Sequence, residues 1–162
     1  MSRLAMPNDA LVAELAESRD AVFATLDRIS AESLTTPGLV GDWSARELIA
    51  HLGYWAGHAA ELIHAVEAGR IDEVGEDEPS VDEVNETVAR VARETPFAAV
   101  RARETASFEA LAERLRAIDP TLLAERLPDG DTVEEGIRAD GAAHYRQHAD
   151  ELRRILEERP RG

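Results

Sequence analysis

The stretch SARELIAHLGYWAGHAAELIHAVEAG, Ser44 to Gly69, reads as a helix from its first residue to its last. It opens on Ser44-Ala-Arg-Glu47, a capping box: the serine hydroxyl satisfies a free N–H of the first turn, and the glutamate reaches back to the serine N–H. Leu48, Leu52, Trp55, Ala59, Leu62, Ile63 and Val66 follow at intervals of three and four, which places them on one stripe. Gly69 is the expected stop. A long helix with one apolar stripe is stable only against partners that cover the stripe.

Those partners lie on both sides. Upstream, Asn8 or Asp9 caps a first helix reaching about Ile29, with Leu11, Leu15, Val22, Leu26 and Ile29 on its buried face. Residues 30–42 break it with Thr35, Thr36, Pro37, Gly38 and Gly41. Downstream, the acidic run from Asp72 to Pro79 reads as a loop. Ser80-Val-Asp-Glu83 is a second capping box, opening a short helix with Val81, Val84, Val88 and Val91 on its apolar face. Thr95-Pro96 then forces a new start or a kink, because proline suits a first turn and disrupts an interior. Phe97, Val100, Phe108, Leu111, Leu115 and Ile118 carry the next helix to Asp119-Pro120.

Leu122, Leu123 and Leu127 tuck a connection against the core. Asp131 or Thr132 opens the last helix, with Glu134 and Glu135 placed to complete a box. Ile137, Tyr145, Leu152, Ile155 and Leu156 form its apolar face, and Pro160 ends it. No period-two strand pattern stands out. The expectation is an all-α protein: a four-helix bundle with an extra short helix before the third bundle helix, as one domain over residues 1–162.

The 162 residues are enough for a substantial core, and the composition is 44% hydrophobic and 31% charged. The net charge of −15 repels a phosphate-rich partner on average, and no Lys/Arg stripe with interleaved aromatics appears, so no nucleic-acid partner is expected. The basic residues are all arginine. There is no cysteine, which excludes disulfides, thiolate metal sites and a cysteine nucleophile. The N-terminus lacks the apolar core of a signal peptide, and no run reaches transmembrane length. These features point to a cytoplasmic protein without a membrane partner.

Five histidines remain. His144 and His148 form an i, i+4 pair on the apolar face of the last helix, so both rings project from adjacent turns, and Gly141 one turn earlier leaves room beside them. Two imidazoles at that spacing chelate one metal ion. The ordinary alternative is a pair of core or surface histidines with hydrogen-bond partners. His51 lies at the edge of the second helix's buried face and gains meaning from the inward pair. His58, two turns on, lines a pocket or adds a fourth ligand, while His64 points to solvent.

Asp140, one turn before His144, is either an acceptor that orients it or an exposed acid. Three histidines without a thiolate make an open site, the catalytic kind, and imidazole suits zinc, nickel, iron or copper. No Gly-x-Ser-x-Gly elbow exists, and Ser44 is committed to capping.

The run Thr36-Pro-Gly-Leu-Val-Gly-Asp-Trp-Ser-Ala-Arg-Glu-Leu-Ile-Ala-His-Leu and the closing motif His144-Tyr-Arg-Gln-His148-Ala-Asp-Glu-Leu resemble the DinB-like superfamily, most of all its ClbS/DfsB branch. The resemblance implies an up-up-down-down bundle, commonly a homodimer, with one divalent metal, zinc or nickel, on His51, His144 and His148. It implies thiol-dependent transfer or isomerisation with mycothiol or bacillithiol, or protection against reactive small molecules. Some ClbS/DfsB-like members act without an obvious metal.

Two functions are therefore expected to compete. One is a metal-dependent enzyme, by hydrolysis or low-molecular-weight-thiol transfer, acting on a small electrophile with Tyr54, Trp55, His58 and Tyr145 as pocket walls. The other is a metal-free resistance or sequestration protein. In the first, the thiol must come from a cosubstrate, because the chain has no cysteine.

Overall fold

The capping box at Ser44 forms in the computed structural model, which describes residues 6–159. Ser44 Oγ accepts from the Arg46 N–H at 3.2 Å, and the Ser44 N–H donates to Glu47 Oε2 at 2.5 Å. The helix it starts, α2, runs Ala45–Glu67, and Gly69 beyond it takes the left-handed conformation at φ +76°. Around it lie α1 (Asp9–Leu26), α3 (Val81–Arg93), α4 (Phe97–Ala117), α5 (Val133–Asp140) and α6 (Ala142–Glu158), with no strand among the described residues. Thr132 and Glu135 make another capping box at α5. Pro96 stands just before α4, where its missing N–H is harmless. The stop expected at Pro160 lies outside the described residues.

The bundle has the expected extra helix, α3, ahead of its third member. The helix directions differ from the up-up-down-down order. Asn8, before α1, donates from Nδ2 to Ile118 O at 2.8 Å, so α1 and α4 are antiparallel. Gly53 meets Glu104 and Gly57 meets Ser107, so α2 and α4 run the same way. His51 meets His144, His58 meets Asp140 and Leu62 lies beside Gly136, so α2 opposes α5 and α6. The order is up-down-down-up. The reason lies in the connections: residues 27–44 and 118–132 each reverse the chain once. Residues 68–96 instead carry α3 back along α2, so α4 starts from the end where α2 started.

Two other expectations change. The last helix is two helices, broken at Gly141 (φ −109°, ψ −106°), where a Cβ would stand 2.9 Å from Ile137 O and 3.3 Å from Leu111. Gly141 is thus a crowded joint rather than spare room beside the histidines. On α3, Val81 and Val91 are exposed, because this helix packs principally on α2 and buries only Ala89 and Ala92. The core gathers Leu15, Val22, Leu48, Leu52, Ile63, Leu111 and Leu152 between the four bundle helices. Leu123 and Leu127 are buried in the connection, as expected. No described helix is long and apolar enough to cross a membrane.

At Gly53 α2 lies close against α4. A Cβ at Gly53 would stand 2.9 Å from the Glu104 Cα, whereas one at Gly57 would meet only Ser107 Oγ at 3.5 Å. Gly53→Ala is therefore expected to lose about 1–3 kcal/mol by overpacking. Gly57→Ala should be neutral or gain up to about 1 kcal/mol from helix propensity. Urea denaturation compares them, and equal stability of the two variants would contradict the close approach.

Candidate metal centre

Burial and helix phase bring three imidazoles together at one level of the bundle. His51 comes from the second turn of α2, His144 from the first turn of α6 and His148 from the turn after it. The Nε2 atoms of His51 and His144 are 2.8 Å apart, and those of His144 and His148 are 3.2 Å apart. One nitrogen from each ring lies within 4.8 Å of the others. The rings meet edge to face, with centroids 4.6–5.2 Å apart, and the Trp43 indole lies 5.0 Å from His51.

The electrostatics favour neutral rings at His51 and His144. Burial, helped by the neighbouring imidazoles, lowers the pKa of His51 to about 4 and that of His144 to about 3. A neutral imidazole has one N–H and one lone pair. His144 Nε2 faces two other nitrogens, and a single proton there serves only one of them. A cation between the rings accepts all three lone pairs, so the donor set fits a divalent ion. His148 Nδ1 lies 3.2 Å from Glu151 Oε1, a partner that turns its Nε2 inward. The Nδ1 atoms of His51 and His144 are buried without a partner.

The other expected site residues separate. Asp140 does not reach His144. It is the last residue of α5, before the break at Gly141, and its Oδ2 accepts from His58 Nδ1 at 2.7 Å. Glu78 takes the other His58 nitrogen at 3.0 Å. Tyr145 is not a pocket wall: one residue beyond His144 the helix has turned into the core, where its ring is completely buried. Its hydroxyl donates to Glu104 Oε2 at 2.5 Å.

Tyr54 and Trp55 do line space. One cavity of about 570 Å³ is walled by Tyr54, Trp55, His58, Leu62, Gly136 and Asp140. A second, also about 570 Å³, lies between α2, α3 and α4 against Gly53, Tyr54, Gly57, Val88 and Val100. His58 borders both. Trp55 Nε1 donates to Asn85 on α3 at 2.9 Å, and His64 is exposed.

Glu104 escaped the sequence reading, although it interrupts the apolar spacing Val100, Phe108, Leu111 where that spacing calls for a hydrophobic residue. It is 1% exposed and held by Arg19, whose Nε and Nη2 donate to it at 2.7–3.1 Å. The Arg19 guanidinium also lies over the Phe23 and Phe108 rings. Burial and the Glu104 charge push the Tyr145 phenol far up, so it stays a donor.

Residues 15–139 match the family described as the mycothiol maleylpyruvate isomerase N-terminal domain. The chain belongs to that family. The matched segment contains His51 and ends before His144 and His148. Among solved structures, the colibactin self-resistance protein ClbS, in complex with a dsDNA, aligns with a TM-score of 0.75 at 16% identity, covering 98% of this chain and 100% of that one. The mycothiol-dependent maleylpyruvate isomerase aligns at 0.70 with 18% identity over 91% of this chain. A histidine-to-alanine mutant of that isomerase aligns at 0.68 with 17% identity. The chain spans 61% of the isomerase's length. No curated protein sequence matches it.

The ClbS complex corrects one expectation. A net charge of −15 was read as excluding a nucleic-acid partner, yet a protein of this fold has been solved on double-stranded DNA. Net charge averages the whole surface, whereas phosphates are held by local arginines and backbone N–H groups.

His58 behaves oppositely to His51 and His144. Its hydrogen bond to Asp140, and then that to Glu78, outweigh burial and raise its pKa to about 9. A folded-state pKa above the unfolded value of about 6.5 gives stability that is complete below pH 6.5 and fades as pH rises through 9. His58→Gln should therefore lose on the order of 1–2 kcal/mol at pH 6, as for hydrogen bonds to charged groups, with the deficit shrinking by pH 9.5. Urea melts across that range measure it. A deficit independent of pH would mean that the ion pair carries none of the effect.

Proposed function

We propose that the chain is a metal-dependent enzyme in which His51, His144 and His148 hold one divalent ion, zinc or nickel. In this reading it joins a low-molecular-weight thiol such as mycothiol, or water, to a small electrophile. The observation that carries the reading is the convergence of three imidazole nitrogens within 4.8 Å, two of them on rings held neutral by burial. Family membership supports the thiol, and the absence of cysteine means that any thiol comes from outside the chain. When bound, such an ion lowers the pKa of a coordinated thiol or water and supplies a nucleophile near neutral pH.

The chain's own residues do the rest. His51 and His144 keep their lone pairs because burial opposes protonation. Glu151 fixes the His148 ring, and Trp43 covers His51 on one side. Trp55 stands one turn beyond His51 on α2, so the cavity it lines begins about 5–6 Å along that helix from the histidine. Tyr54 and Trp55 give it aromatic walls for an apolar substrate portion.

A second reading is a metal-free resistance or sequestration protein. It is supported by the end-to-end likeness to ClbS and by the Nδ1 atoms of His51 and His144, which lack the acceptors that metal-bound histidines ordinarily have. Double-stranded DNA, on which ClbS was solved, is the first ligand to test under that reading.

Metal content separates the two. Untagged protein is expected to take up one zinc or nickel per chain. His148→Ala should lose tight binding, and His64→Ala should retain it. At a hundredfold excess of ion over Kd the folded state gains about 2.7 kcal/mol, visible as a higher Tm. Identical melting with and without excess ion would remove the metal reading.

A further inference from the structure

The geometry points to a positioning role for Tyr145, Glu104 and Arg19: they set the rotation of α6, and so decide whether His144 and His148 meet His51. The inference rests on the three-histidine metal reading and extends it to residues outside the histidine set.

Tyr145 follows His144 directly, about 100° around the helix. Fixing its ring therefore fixes the direction of both histidines. Its hydroxyl is anchored on Glu104 Oε2, and Glu104 is gripped by Arg19, which also donates to Thr105 Oγ1 at 3.1 Å. The Glu104 backbone in turn lies against Gly53, two residues after His51. One buried network thus references α6 to α1, α4 and α2 at the level of the histidines.

A second observation shows why α6 needs that reference. The helix restarts at Gly141, so the phase of α5 does not dictate its rotation, and Tyr145 closes its first turn by donating its N–H to Gly141 O at 3.0 Å. The tolerance is small. A helix with its side chains is about 10–12 Å across, so a rotation of about 20° moves a nitrogen on its rim by about 2 Å. That is the length of a bond to zinc. Glu104 is 1% exposed, and a leucine there would fill the stripe without a charge to bury. A buried charge network retained at such a place fits a role in register rather than in raw stability.

The test uses Co(II), whose visible bands report coordination geometry, with affinity read by chelator competition. Tyr145→Phe removes only the hydroxyl and is expected to weaken Co(II) about 10–100-fold and to change the bands. Glu104→Gln should do the same. Asn8→Ala is the control: it cuts the tie to Ile118 O and lowers the Tm, but should leave Co(II) affinity and spectrum unchanged. A Tyr145→Phe protein with wild-type affinity and bands overturns the inference, and this variant decides alone if Glu104→Gln does not fold. If wild-type protein takes no Co(II), the metal reading is what fails. The imidazole 15N shifts of His144 and His148 then read the rotation directly, and shifts unchanged by Tyr145→Phe overturn the inference.

Discussion

The carboxylate of Glu104 is the constraint around which this bundle is arranged. A charge almost completely removed from water is costly unless it is paired and hydrogen-bonded, and here two N–H groups of Arg19 and the Tyr145 hydroxyl donate to it. That requirement draws α1, α4 and α6 to one point. Gly53 lets α2 lie against the same residue, because it has no side chain to hold the two backbones apart. The apolar stripes provide most of the driving force for burial, but stripes tolerate sliding and rotation. A bidentate ion pair with a phenol on its flank does not.

Along one face of α2, two electrostatic regimes stand two turns apart. At His51 no carboxylate raises the pKa, burial decides, and the ring stays neutral. At His58 two carboxylates decide, and the ring stays charged. The first state suits a metal ligand, which needs its lone pair. The second suits a fastener: His58 ties the loop residue Glu78 to the end of α5 through Asp140. Both rings come from the same helix, so their difference lies in what the neighbouring elements bring to them: His144 and His148 of α6 at His51, Asp140 of α5 and Glu78 at His58.

Much of this was legible in the sequence. Ser44 with Glu47, and Thr132 with Glu135, mark helix starts through local chemistry that needs no tertiary context. The i, i+4 spacing of His144 and His148 is likewise local. What could not be read depends on partners far along the chain. The up-down-down-up order follows from where α3 carries the backbone, and apolar spacing carries no direction. Asp140 was placed beside His144 on the premise of an unbroken helix, and Gly141 breaks it. Val81 and Val91 keep the helical period but face solvent, because α3 has too few neighbours to cover them. Glu104 stands in the sequence as a charge on an apolar stripe, but its partners Arg19 and Tyr145 lie 85 and 41 residues away, so its burial is not a local signal.

The parallel pairing of α1 with α6 has a kinetic consequence. Arg138 of α5 grips Glu14 of α1 across 124 residues of chain, and the neighbouring α1–α6 contact spans a similar separation. Contacts so distant in sequence require a large loop to close before they yield anything, which slows assembly relative to a bundle of simple hairpins. The three-nitrogen cluster carries the same cost, since His51 and His144 stand 93 residues apart and meet only when that loop closes.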